Sequence, residues 1–210
     1  GLDILRAQLV GISFAIVPHH AAYLPLAHRY PGAPHQLGRE EALSKLKVWL
    51  ESAAHKKLGQ NIKYDQHIFA NHGIRLAGIA EDTLLQSYVL ESHRPHDMDS
   101  LAQRHLGIKT LTYAEVVGKG AKQIGFDQVD LATATRYAAE DADVTLQLHQ
   151  MLSPQLQGSL GEIYSDIEMP VRQVLYVMER NGVLIDHGQG WVTQRYPPSF
   201  TSASLLPSSR

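Results

Sequence analysis

The sequence predicts an α/β fold, on three observations. Short apolar runs rich in β-formers (Leu9 to Val17, Ala21 to Ala27, Lys57 to Gln60) alternate with longer segments of helical period. Gly, Pro and Asn-rich joints separate them. At 210 residues, 44% hydrophobic and 19% charged, the chain has the length and composition of a globular protein with a full core.

The elements follow in order. Leu9 to Val17, the turn Pro18-His19-His20 and Ala21 to Ala27 read as a hairpin. Tyr30 to Pro34 is a loop. Arg39 to Ser52 sets Leu43, Leu46, Val48, Trp49 and Leu50 among charges, which predicts an amphipathic helix. Lys57 to Gln60 is a short strand, and Tyr64 to Asn71 a helix closed by Gly73. Asp82 to Leu90 is helical, and Asp97 or Asp99 caps a further helix. Thr110 to Asp127 carries Gly and Lys and reads as irregular. Leu131 to Leu152 contains no Gly or Pro and predicts a long helix that Pro154 stops. Ile167 to Asp186 reads as a helix and a strand-like run. Tyr196 to Arg210 is rich in Ser and Pro and predicts an unordered tail.

Composition excludes several function classes. There is no Cys, so disulfides and Cys-based zinc sites are ruled out. The longest apolar run is far too short for a bilayer, and no leader pattern opens the chain. We expect a cytoplasmic monomer without membrane contact. A net charge of -2 argues against extensive wrapping of duplex DNA. It leaves room for a site that grips a few nucleotides at a strand end, where bound cations offset phosphate charge.

Two stretches carry chemistry: Asn61-x-x-Tyr64-Asp65 and Tyr137-x-x-x-Asp141. Tyr137 and Asp141 are four apart on a helix and share a face. There a carboxylate can hold a divalent cation and a phenol can orient a water. Glu140 and Asp143 project about 100° and 200° away from Asp141 and cannot join one site. By itself the pattern also fits a solvated acidic helix face. Asp65 falls at a helix N-terminus, where an anion is favoured and free amides suit a phosphate. It also fits a plain first-turn acid, and Asn61 a plain turn. Lys119 and Lys122 are placed to meet phosphates or solvent. His19, His20, His93 and His96 lack further ligands at metal-binding spacing and are expected at the surface.

In order, separation and surrounding words (GQNIKYDQHIF and RYAAEDADVT), the two stretches resemble the second and third motifs of the 3′→5′ proofreading exonucleases. The branch they resemble is the exonuclease domain of bacterial family A DNA polymerases. The resemblance runs from Gly1 to about Asp186. It implies a ribonuclease-H-like 3′→5′ exonuclease fold, a mixed sheet flanked by helices. It implies two divalent cations, Mg²⁺ or Mn²⁺, held in part by Asp65 and Asp141, with Tyr137 orienting the attacking water. It further implies that Leu2, Asn61, Tyr64 and Tyr113 hold the single-stranded 3′ end of DNA. Such hydrolysis needs several carboxylates, because two cations about 3.5–4 Å apart stabilise the attacking and leaving oxygens and hard cations take oxygen ligands. An aromatic such as Tyr113 suits single strands, since stacking is worth about 1–3 kcal/mol per base.

The family's first motif, an Asp-x-Glu on the opening strand, is not at the start of this chain, which reads Gly1-Leu2-Asp3. We therefore expect a fragment with the first strand missing, about half of the metal ligands and weak or no hydrolysis of its own. The complete parent would proofread in DNA replication and repair, with a polymerase domain in cis. The alternative is a non-catalytic domain acting as a scaffold or single-strand clamp for a polymerase. Three regions are expected: an exonuclease domain at 1–153, a linker and the start of a polymerase domain at 154–186, and an unrelated tail at 187–210, whose change of character suggests a shifted reading frame.

Overall fold

The computed structural model describes residues 4–186 and 191–193. Gly11–Val17 (β1) and His20–Pro25 (β2) pair antiparallel, through a turn in which His19 takes a φ of 65°. Arg39–Leu50 (α1) follows. Lys57–Gly59 (β3), Ile62–Asn71 (α2) and Ile79–Asp82 (β4) make a crossover unit, with β4 parallel to β3. Then come Thr83–Glu91 (α3) and Met98–Leu101 (α4), which Ala102–Leu106 extends as a π-helical turn. Tyr113–Val117 (α5) precedes the long Leu131–Leu152 (α6). Ser159–Glu162 (α7) runs through the π segment Ile163–Glu168 into Met169–Asn181 (α8). Leu184–Asp186 (β5) pairs antiparallel with Trp191–Thr193 (β6).

The elements expected from pattern form, with ends shifted by up to two residues. The differences have local causes. Thr110 to Asp127 is not wholly irregular: Thr112 and Glu115 form a capping box that starts α5. Strand β4 went unpredicted because Ile79 to Asp82 shows no alternation and is only four residues long. Residues 191–193, assigned above to an unrelated tail, form β6. The rest of that tail and Leu2 lie outside the described residues. Among the described residues the strands form three separate pairs and not one continuous sheet.

Three apolar clusters hold the elements. Leu9, Ile12 and Leu26 of the hairpin region pack with Leu43 and Leu50 of α1 and Ile62, Ile68 and Phe69 of α2. Leu101 and Ala102 pack with Val144, Leu148 and Leu152 of α6. Val117, Val129 and Ala134 close the third, against Tyr23 and Phe126. Full burial of side chains of this size is worth about 1.5–3 kcal/mol each. Helix α6 lies across both β1 and β2, with Asp130 capping its first turn by accepting from the Thr133 N–H. Helix α8 is two-sided: it meets α2 on one side and exposes Val171, Val174 and Met178 on the other, in line with Ile167 of the π segment before it. Among the described residues no helix is long and apolar enough to cross a membrane.

The loop after α1 is pinned by a buried lysine. Lys57 Nζ donates to the carbonyls of Trp49 (2.7 Å), Ser52 (3.0 Å) and His55 (2.9 Å). Gly78 sits under the same loop at φ 70°, where a Cβ would run into the backbone oxygens of His55 and Ser52. Gly78→Ala thus combines a strained backbone with a clash that no rotamer relieves. We predict that it lowers unfolding free energy by about 1–3 kcal/mol, measured by urea denaturation. An unchanged midpoint would contradict this packing.

Candidate active site

Helix α6 explains how Asp141 is placed. Its buried positions are Ala134, Ala138, Val144, Thr145, Leu148 and Leu152. Asp141 falls three after Ala138 and four before Thr145, in the stripe where the helical period calls for an apolar side chain. A carboxylate in that stripe is the residue-level signal of function. Burial pushes its carboxyl up to about 7, with the nearby Asp99 and Glu140 adding to the rise while a hydrogen bond from Tyr137 opposes it. The Tyr137 hydroxyl is itself held protonated by burial and by the Asp141 charge. The i, i+4 pairing expected from sequence is therefore present. The other two acids of α6 point elsewhere, as their angles imply. Glu140 accepts from the Leu111 N–H at 2.7 Å, and Asp143 accepts from the His19 N–H at 2.6 Å.

Asp65 comes from the first turn of α2. That turn is set by Asp82, a carboxylate at 1% exposure. Asp82 accepts from the N–H groups of Asn61 (2.9 Å), Ile62 (3.0 Å) and Leu84 (3.0 Å), and so caps α2 and α3 together. Asn61 is left-handed, at φ 56° and ψ 47°. Two N–H groups at this helix start are thus already engaged, which corrects the expectation that they are free for a phosphate. Asp65 is exposed and faces the cleft, where the protein around the carboxyl limits its hydration. That loss of hydration pushes its carboxyl up to about 7, and the charge of Asp82 adds to it.

Asp65 and Asp141 line one cleft of about 470 Å³. Its walls include Gly11 to Ile16 of β1 and Lys56 to Gln60 around β3. Consecutive residues line the cleft whichever face of the strand their side chains take. Both strands therefore present an edge to it, and among the described residues each has a strand partner only on its other side. The base is apolar, with Ile12, Phe14, Trp49, Ile68 and Phe69.

An aromatic cluster stands beside the carboxylates. Tyr113, 43% exposed, stacks on Phe126 with centroids 6.3 Å apart and lies 6.1 Å from Tyr137. Phe126 meets Tyr137 edge-on at 5.9 Å. Tyr64, 39% exposed, is close enough for Tyr113 to add to the rise that burial gives its hydroxyl. The structure thus brings Tyr64, Tyr113 and Tyr137 together, with Asn61 exposed at the start of α2. Leu2 cannot be placed.

Sequence reasoning missed Asp99, Phe126 and Asp82. Asp97 takes the cap, accepting from the Ser100 N–H, and leaves Asp99 to accept from the Thr110 hydroxyl at 2.6 Å near Asp141. The Asp97-x-Asp99 pair was a signal, but sequence could not say which acid faced inward. Lys119 and Lys122 are exposed, as are His19, His20 and His93. His96 is half-buried and hydrogen-bonds Ser87 at 2.8 Å, which corrects its assignment to the surface. Among the described residues no three acids or histidines converge as a metal cluster.

Both raised carboxyls predict a pH dependence of stability. In the fold they titrate near 7, against 3.8 when unperturbed. The folded chain then keeps protons that the unfolded chain releases. In a chelator, their contribution is intact below about pH 4 and is lost as pH rises to about 7. Asp141→Asn should match the parent's stability at pH 4 and exceed it increasingly towards pH 8. Equal stability curves would show that Asp141 is not enclosed.

The comparisons agree with this geometry. A family model described as 3'-5' exonuclease matches residues 1–157. DNA polymerase I of Pseudomonas aeruginosa is 50% identical over 190 residues, covering 88% of this chain and 21% of that protein. DNA polymerase I of Rhizobium leguminosarum is 38% identical over 204 residues, covering 88% and 20%. Among solved structures, the POL domain of Pol1 from M. smegmatis, in complex with DNA primer-template and dNTP, superimposes with a TM-score of 0.52 at 26% identity, over 70% of this chain and 23% of that one. The chain spans about one fifth of the length of the curated relatives it matches. With a family model over residues 1–157, most of its length, the chain belongs to the 3'-5' exonuclease family.

Proposed function

We propose that the cleft is the 3′→5′ exonuclease site of a DNA polymerase I, removing the terminal nucleotide from a single-stranded 3′ end in replication and repair. The observation that carries this reading is that Asp65 and Asp141, from two different helices, line one cleft beside Tyr64, Tyr113 and Tyr137. Exonucleases of this family use divalent metal ions. The residues here fit such ions. Both carboxyls are pushed up to about 7 by loss of hydration, with no cationic side chain offsetting the rise, and both offer the oxygen donors that hard cations take. Asp65 and Asp141 would hold Mg²⁺ or Mn²⁺, which when bound stabilises charge on the attacking and leaving oxygens.

The chain's own residues do the rest. Tyr137, one helical turn before Asp141 and close enough to feel its charge, orients a water at that carboxylate. Tyr113, backed by Phe126, offers a base an exposed ring, and Tyr64 borders it. Asn61 presents an amide to the nucleotide, and Leu2 wedges against the terminal bases. The remaining ligands would come from an extended strand bearing Asp-x-Glu, seated between the open edges of β1 and β3. Such a strand would hydrogen-bond on both sides and merge the two pairs into one mixed sheet. The exposed apolar side of α8 suits a helix covered by a polymerase domain in cis.

We expect no measurable release of nucleotides from a 3′-end-labelled single strand by the chain with Mn²⁺ alone. Release should appear when an extended peptide carrying Asp-x-Glu is added, and should vanish in Asp141→Ala. Release that persists in Asp141→Ala would contradict the site. A peptide that binds as a strand while the chain still only holds DNA would favour the clamp reading.

A further inference from the structure

Helix α2 has two faces. Asn61, Tyr64 and Asp65 belong to the site, while Lys63, Gln66, His67 and Asn71 meet α8 at helical spacing. The seam between α2 and α8 is polar. Glu179 pairs with Lys63 and with His67 Nε2, the latter at 2.7 Å. Gln66 Nε2 donates to Gln173 Oε1 at 3.1 Å, and Arg180 Nη1 donates to Asn71 Oδ1 at 2.6 Å.

Arg172 is buried in this seam, at 9% exposure. Its Nη1 donates to Gln66 Oε1 at 2.9 Å, one residue from Asp65. The same guanidinium supplies positive charge to Asp82, the carboxylate that holds the start of α2. Burying an arginine is costly, and removing it would leave Asp82 buried without its counter-charge. Two links therefore run from α8 to the first turn of α2, one through Gln66 and one through Asp82.

We propose that Arg172 is a positioning residue, which from α8 fixes the first turn of α2 and so the direction in which Asn61, Tyr64 and Asp65 face the cleft. Only the last step rests on the function proposed above. The exonuclease family model ends at residue 157, before α7 and α8. The geometry of the site thus depends on a helix outside the region that defines the family, and a domain cut at residue 153 would lose it.

The test is amide hydrogen exchange on the full chain, with Mn²⁺ affinity as a second readout. Arg172→Met keeps the bulk and removes the charge; Arg172→Lys keeps the charge. Exchange at Ile62 to Gln66 should quicken about tenfold in Arg172→Met, with α6 unchanged, and Arg172→Lys should recover most of the protection. Mn²⁺ affinity should fall with it. Unchanged exchange, or an increase spread evenly over α2, α3 and α6, overturns the proposal. Should Arg172→Met fail to fold, Gln66→Leu, which removes the acceptor and spares the charge pair, decides by the same local-or-uniform criterion. A parent whose Mn²⁺ affinity is indifferent to Asp65→Asn would refute the metal reading, while the exchange pattern would still decide the role of Arg172.

Discussion

A single buried carboxylate organises this domain. Asp82 ends β4, caps α2 and α3, and faces Arg172 of α8, while its own N–H donates to the Tyr164 hydroxyl at 3.0 Å. Burial pushes its carboxyl up, and the three N–H donors and Arg172 pull it back towards the charged form. An ion so enclosed is tolerated only when nearly all of its hydrogen-bonding capacity is met. The start of α2, and with it Asn61, Tyr64 and Asp65, is located by that requirement more than by helix propensity.

Asp65 and Asp141 are the counterpart of this arrangement. Asp141 is half-buried and Asp65 lies open to the cleft, yet the partners that satisfy Asp82 are lacking at both: loss of hydration dominates each, and the chief compensation at Asp141 is the phenol of Tyr137. Keeping two such carboxylates beside an apolar base costs stability, which the metal-binding role proposed for them would offset. The open edges of β1 and β3 fit the same account, since strand edges facing one cleft carry unpaired backbone groups that seek a partner.

Much of this was legible in the sequence. The hairpin, α1, α2, α3, α6 and α8 announce themselves by period, and Leu131 to Leu152 forms as expected from end to end. Tyr137 and Asp141 could be paired by spacing alone. What stayed hidden depends on tertiary context. Nothing in Ile79 to Asp82 says that Asp82 reaches back to Asn61, some twenty residues earlier. Nor does spacing show that Phe126, from a loop, underlies Tyr113 and Tyr137. Of Asp97 and Asp99, only the fold decides which one turns inward. Arg172 reads as an ordinary charge on an amphipathic helix until α8 is seen against α2.

The most direct test of the central claim is a Mg²⁺ titration of the chain, followed by the ¹³C shifts of its aspartate carboxylates above pH 7. The account predicts that Asp65 and Asp141 move together as Mg²⁺ is added while Asp82, already satisfied, stays still. Motion of neither residue, or the same response at Asp82, would contradict it.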